Sequence, residues 1–197
     1  MNNLGNKVIY QIYPKSFYDS NNDGIGDLRG IIQKIDYIKK LNVDFIWFNP
    51  FFVSPQNDNG YDIADYKKID PRFGTMADFE ELVAKLKDIN VNVMLDMVLN
   101  HCSTEHEWFK KALAGDKKYQ KFFYLRKGKD RKLPNNWQSK FGGPAWSKFG
   151  DTDYYYLHLY DPTQADLDWH NPEVRAALID VVNFWRSKGV HGFRFDV

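Results

Sequence analysis

The chain has 197 residues and carries 27 Lys+Arg against 26 Asp+Glu, a net charge of +1. Near-neutral charge disfavours a nucleic-acid or membrane-surface partner, both of which require a basic patch, and an apolar fraction of 43% excludes wholesale disorder. No apolar run approaches the roughly 20 residues that span a bilayer, the opening MNNLGNKVIYQIYP lacks a basic-then-apolar leader so a cytoplasmic location is expected, and the single Cys102 excludes a disulfide framework or a Cys-based zinc cage.

Residues 7–14 (KVIYQIYP) predict a buried strand. Residues 28–41 predict one helix, with Leu28, Ile31, Ile32, Ile35, Ile38 and Leu41 on a single face. A second strand follows at 43–49 (VDFIWFN). Thr75 caps a helix running to Asn90, with Phe79, Leu82, Val83, Leu86 and Ile89 facing inward. Residues 91–99 (VNVMLDMVL) form a third strand. Asn171 and Pro172 open another helix in the cap-then-proline order, its inner face running from Val174 to Trp185. Gly189 ends it, and 190–197 (VHGFRFDV) is a fourth strand.

Strands alternating with helices predict βαβ units and a parallel sheet, an α/β fold. Residues 100–170 greatly exceed the usual βα loop of about 2–6 residues. They carry a strand-like run at 153–160 (DYYYLHLY), so an inserted small domain is expected there, with PNNW and FGGPAW as turns. A (β/α)8 barrel needs about 250 residues. Four strands therefore fit either an open sheet or the front half of a longer barrel.

Four segments carry chemistry. In DSNNDGIGDLRG (19–30), Asp19, Asn21 and Asp23 alternate, followed by Gly24, Ile25 and Asp27. That is the oxygen-donor spacing of a hard-cation loop, with the Ile25 carbonyl as a further donor, although Gly30 stands where a bidentate Glu would close the set. The other reading is a polar Asx turn. In DNGYDIADY (58–66), Asp58 offers a carboxylate and Tyr61 a flat apolar ring, a pairing suited to a sugar or to a packed polar turn. Asp96 sits within the third strand and Asn100–His101 just past its end, where parallel sheets place ligand chemistry. Arg194 and Asp196 lie two apart on the fourth strand and so share a face, as a salt bridge or as an oriented carboxylate nucleophile. HCSTEHE, with His106 and Glu107, lacks the helical HExxH order of a zinc site.

Together and in this order, IYQIYPKSFYDSNNDGIGDLRG, DMVLNH, TQADLDW and GFRFDV resemble the α-amylase superfamily, glycoside hydrolase family 13, from about Val8 to Val197. Ala165 and Asp168 replace the Pro and Asn of that family's Q-P-D-L-N string. The resemblance implies the N-terminal half of a (β/α)8 barrel: 1–100 as its first part, 101–170 as the domain inserted after the third strand, and 171–197 as the barrel resumed. It implies Asp196 as the nucleophile of a retaining α-glucosidase, Arg194 as its charge partner and Asp96 in the same network. Asp58, Tyr61, His101, Phe141 and Gln164 would line the sugar pocket. Tyr160 stands where relatives often carry Phe. Asp19, Asn21, Asp23, the Ile25 carbonyl and Asp27 would hold a structural Ca2+, with no organic cofactor.

Strings such as YPKSF and PFFVSPQNDNGYDIADY resemble the branch that cleaves trehalose 6-phosphate, with isomaltose-type α-1,6 bonds the alternative substrate. In similar enzymes Val follows the nucleophile where α-1,6 or α-1,1 bonds are cut and often Ala where α-1,4 bonds are, so the resemblance implies that Val197 disfavours an α-1,4 maltase. Lys127 and Lys129 read as solvated rather than as phosphate ligands. The family's general-acid glutamate lies after the fourth strand, so hydrolysis is expected of a longer parent and not of these 197 residues alone. The partner is then a small sugar or sugar phosphate, and open strand edges favour self-association. A transporter subunit without catalytic groups, a transglycosylase and a sugar-binding sheet are the rival readings.

Overall fold

The structure is a computed structural model in which residues 4–128 and 132–197 are described. After a short 3-10 turn come β1 (Ile9–Ile12), α1 (Pro14–Phe17), α2 (Leu28–Gln33), α3 (Ile35–Lys40), β2 (Phe45–Phe48), β3 (Phe52–Val53) and β4 (Asp65–Ile69). Then follow α4 (Met76–Asp88), β5 (Asn92–Val98), β6 (His101–Ser103), α5 (Glu107–Leu113), α6 (Lys117–Gln120) and β7 (Leu125–Lys127). The last elements are β8 (Trp146–Lys148), β9 (Tyr154–Leu157), β10 (Gln164–Asp166), α7 (Pro172–Ser187) and β11 (Gly192–Asp196). Two compact units divide the chain. One gathers Met1–Val53, Lys67–Met97 and Val182–Asp196; the other gathers Ser54–Tyr66, Val98–Val181 and Val197.

The first unit is built on a four-stranded sheet in the order β1-β2-β5-β11. β1 pairs parallel with β2, and β2 parallel with β5. The register sets Gln11, Trp47 and Met94 in one row and aligns Ile46 with Val93 and Phe48 with Leu95. Successive strand side chains point to opposite faces. Ile46, Phe48, Val93, Leu95 and Met97 are at most 1% exposed, and they form the apolar face. Gln11, Trp47, Met94 and Asp96 consequently fall on the other. Leu28, Ile31, Phe79, Leu82 and Leu86 complete this core. Trp185 seals it, with ring centroids 5.0–6.1 Å from Phe51, Phe52 and Phe79.

Local chemistry explains several helix ends. The Thr75 hydroxyl accepts the Asp78 N–H while Asp78 returns a bond to the Thr75 N–H, a full capping box at the start of α4. Pro14 begins α1 at once, which stops the first strand two residues short of the expected end. The single helix expected over 28–41 is two helices. At Lys34 (φ −103°, ψ 16°) the N–H bonds Ile31 O in the tighter three-residue manner, so the helical register breaks. Gly30 is required by close approach: a Cβ there would lie 1.9 Å from the Tyr18 carbonyl oxygen.

The second unit contains a three-stranded antiparallel sheet, β7-β9-β8, and an antiparallel pair, β6-β10. The strand-like run at 153–160 is β9, four residues long. Phe109 anchors the unit's aromatic core, with ring centroids 5.0–5.6 Å from Phe123, Phe149 and Tyr156. The Asn171 side chain accepts the Glu173 N–H at the mouth of α7, which begins with Pro172 as its composition predicts.

Candidate active site

In the first unit, β11 carries Arg194 and Asp196 on one face, and their side chains meet in an ion pair. The same Arg194 Nη1 reaches Asp96 at 3.1 Å from Oδ1 and 3.4 Å from Oδ2. The Asp96 side chain is fully buried, that of Asp196 19% exposed and that of Arg194 38%. Burial opposes the arginine's charge, but the hydrogen bond and charge of Asp96, joined by Asp196, hold its pKa above the ordinary value. Trp47 completes the centre. Its indole N–H donates to Asp96 Oδ2 at 3.3 Å, and its ring centroid lies 5.3 Å from the Arg194 guanidinium carbon. Beside it, the Gln11 amide donates to Asn49 Oδ1 at 2.8 Å. Trp47, Gln11 and Asn49 were not expected from the sequence. Their signal is the alternation in FIWFN and IYQI, which sets these side chains opposite the buried apolar ones.

The loop before α2 is also in this unit. Asp19 Oδ1 accepts the Asn21 and Asn22 N–H groups, and Oδ2 accepts Gly24 N–H at 2.8 Å. Those backbone bonds, Gly24's foremost, hold the Asp19 carboxyl below its ordinary value. Asn21 and Asp23 make the same kind of turn bond two residues on, and Gly24 takes φ +91°. Asp27 caps α2 through Gly30 N–H and also binds Ser20. Among the described residues, no three His, Cys, Asp or Glu side chains are placed to hold a metal ion. The donors are hard oxygens, which suits a structural dication. The fit depends on the Asn21 amide and Ile25 carbonyl supplementing the carboxylates.

In the second unit, Asp62 organises the loop that bears Asp58. It is fully buried and accepts Ser54 Oγ (2.8 Å), Asn57 N (2.9 Å) and Asp58 N (3.1 Å). Asp58 Oδ2 in turn accepts the side-chain amide of Gln164 at 2.8 Å. Gln164 is itself fully buried and accepts Asp161 N–H. His101 lies 3.2 Å from the Tyr61 carbonyl through Nε2 and 3.2 Å from the Asn100 amide through Nδ1. The Asn100 amide nitrogen can only donate and the Tyr61 carbonyl oxygen only accept, so this network assigns a neutral ring protonated at Nε2. Tyr160 stands 5.4 Å from the His101 ring, and Phe141 packs edge-on to Tyr160 at 5.6 Å. Phe141 is 60% exposed, on a turn where Gly142 and Gly143 take positive φ. The five expected sugar-pocket residues therefore form two linked groups: Asp58 with Gln164, and Tyr61 with His101, which continues through Tyr160 to Phe141.

Asp166, inside TQADLDW, is a further polar residue of this unit that the sequence pattern does not single out. It is 3% exposed, stands opposite His101 across β6-β10 and accepts Asn100 Nδ2 and Leu159 N through Oδ1. Burial pushes its pKa up to about 7, against those two hydrogen bonds. His106 caps α5, accepting Trp108 N–H at 3.1 Å, and burial lowers its pKa to about 4. Lys127 is exposed on β7, its Nζ 5.5 Å from the Tyr154 ring centroid. Lys129 lies outside the described residues. Among the described residues, no helix is long and apolar enough to cross a membrane.

The family model described as "Alpha amylase, catalytic domain" matches residues 11–197. A trehalose-6-phosphate hydrolase of Escherichia coli (strain K12) is 55% identical over 192 residues, covering 98% of this chain and 35% of that protein. An oligo-1,6-glucosidase of Bacillus cereus is 51% identical over 191 residues, covering 96% of this chain and 34% of that protein. The crystal structure of Bacillus licheniformis trehalose-6-phosphate hydrolase (TreA) superposes with a TM-score of 0.94 at 52% identity, over 97% of this chain and 35% of that one. The chain thus spans about a third of the length of the curated relatives it matches. Its four-stranded parallel-type sheet is the front part of a (β/α)8 barrel rather than an open sheet complete in itself. With the family model covering nearly every residue, the chain belongs to the alpha-amylase family.

Proposed function

We propose that the chain is the nucleophile-bearing part of a retaining α-glucosidase that hydrolyses trehalose 6-phosphate. The activity belongs to a longer, cytoplasmic parent chain that also supplies the general acid. The observation that carries this reading is Arg194 held between buried Asp96 and Asp196 on the polar face of the sheet. A hydrogen-bonded, oriented carboxylate at the end of a parallel strand is what a glycosyl nucleophile needs. In this reading an Asp196 oxygen attacks the anomeric carbon, and the new C–O bond forms as the glycosidic C–O bond breaks. The departing oxygen takes its proton from the general acid. Water then cleaves the glucosyl ester, regenerating the carboxylate and releasing glucose and glucose 6-phosphate. Asp58, Tyr61, His101, Phe141 and Gln164 are assigned to sugar binding, by hydroxyl hydrogen bonds and ring stacking.

A structural Ca2+ belongs to the same proposal. Asp19, Asn21, Asp23, the Ile25 carbonyl and Asp27 would hold it, and it would tie down the connection from β1 to α2. Exposed Ile9 and Phe195 on the outer strands support self-association of the 197-residue chain; a monomeric mass at high concentration would count against that.

Substrate preference decides between the two relatives. Assayed on trehalose 6-phosphate, isomaltose and trehalose, the longer enzyme is expected to favour trehalose 6-phosphate. A clear preference for isomaltose would replace that substrate with α-1,6 glucosides and leave the glucosidase assignment standing. No cleavage of any α-glucoside would overturn the assignment itself.

A further inference from the structure

We infer that Trp47 is a positioning residue for the nucleophile, an inference that rests on the glucosidase reading above. Arg194 reaches both Asp96 and Asp196 through a single nitrogen, Nη1. A guanidinium held at one corner is free to pivot about that corner. Its head is also only partly shielded, with the side chain 38% exposed. Burial alone therefore does not fix its plane.

Trp47 removes both freedoms. The indole face lies 5.3 Å from the guanidinium carbon, within the range in which the ring quadrupole attracts a cation. That contact opposes rocking of the arginine away from the sheet. The indole N–H, 3.3 Å from Asp96 Oδ2, fixes the orientation of the carboxylate that receives the arginine. One side chain thus touches two of the three charged groups, through a donor on its edge and a cation site on its face. Strand register makes this possible. Trp47 sits on β2 beside Met94 of β5, and Asp96, two residues further along, projects from the same face. Packing would be served by any large apolar side chain. The edge donor distinguishes Trp from Phe, which keeps a cation-attracting face and loses the N–H.

Trp47 acts through Asp96 and Arg194, so its effect falls on the aim of Asp196 during attack and not on ground-state sugar binding. The test uses the longer enzyme with Trp47→Phe and Trp47→Leu. Steady-state kinetics are combined with trapping by 5-fluoro-α-glucosyl fluoride. In the trapping step an Asp196 oxygen bonds to the anomeric carbon, the C–F bond breaks and fluoride leaves. Trp47→Phe is expected to lower kcat and the trapping rate about tenfold, equivalent to about 1.4 kcal/mol of barrier, with KM and the melting temperature nearly unchanged. Trp47→Leu, which loses the face as well, is expected to lower both rates roughly a hundredfold. Rates in Trp47→Phe equal to wild type would overturn the inference, as would a rise in KM with kcat unchanged. A wild-type enzyme that neither cleaves nor is labelled by an α-glucoside would overturn the functional reading and the inference together, which separates the two failures.

Discussion

In the sheet unit the polar centre is made of formal charges, with Arg194 against the fully buried Asp96 and against Asp196. In the second unit it is made mainly of neutral donors and acceptors. Gln164 serves Asp58, and Asn100 serves both His101 and Asp166. Both units bury a carboxylate, and they solve the cost of doing so differently. Asp96 has a guanidinium within 3.1 Å. Asp166 is served by an amide side chain and a backbone N–H, and burial pushes its pKa up to about 7. A buried carboxylate needs a cation or hydrogen-bond donors enough to replace water, and where these fall short it keeps its proton. The first arrangement favours the ionised carboxylate; the second lets the carboxyl keep its proton up to about neutral pH.

The largest loss is expected at Asp196. If it is the nucleophile, Asp196→Asn in the longer enzyme should lower kcat by at least about a thousandfold. Removal of a mere salt-bridge partner would leave most of the activity, and that result in an aryl α-glucoside assay would withdraw the nucleophile assignment. The next effect concerns pH. The folded-state pKa of Asp166, about 7, lies above its ordinary 3.8. The folded form therefore keeps a proton that the unfolded form releases. This stabilisation is whole below about pH 4 and is lost as the pH rises through about 7. Asp166→Asn keeps an oxygen to accept the Asn100 amide and has no proton to lose. Urea unfolding should show stability falling with pH by on the order of a few kcal/mol more in wild type than in the variant. Equal slopes would show that Asp166 titrates normally.

The smallest expected effect lies in the neutral network. Gln164→Leu removes the amide that binds Asp58 and the oxygen that accepts Asp161 N–H. At a fully buried position the expected cost is about 1–3 kcal/mol. A variant as stable as wild type by denaturant melting would mean that water replaces both bonds.

Legibility followed distance along the chain. Arg194 and Asp196, two residues apart on a strand, were expected to share a face, and their side chains meet. The hydrogen-bonding caps at Thr75 and Asn171 lie within three residues of their partners and were equally plain. The helix over 28–41 failed because periodicity reports which residues face inward and not whether one turn tightens, as it does at Lys34. Trp47 reads in the sequence as one residue of the second strand, since nothing local reveals that its N–H would find Asp96, 49 positions away. Asp166 was passed over for the same reason. Its burial comes with the pairing to β6 and the Leu159 backbone N–H closing on it, and the string TQADLDW holds no trace of that.

The alternation of strands and helices, the apolar faces and the segments in which polar chemistry is concentrated are all legible in the order of the residues. Each of these is set by side chains within about one turn or two strand positions of one another, over which periods of 2.0 and 3.6 residues hold rigidly. Which polar groups become partners is set by folding: Asp96 meets Arg194 across 98 positions, and Asp58 meets Gln164 across 106. Such pairings depend on strand register and on which side chains are withdrawn from water, and both are properties of the assembled fold.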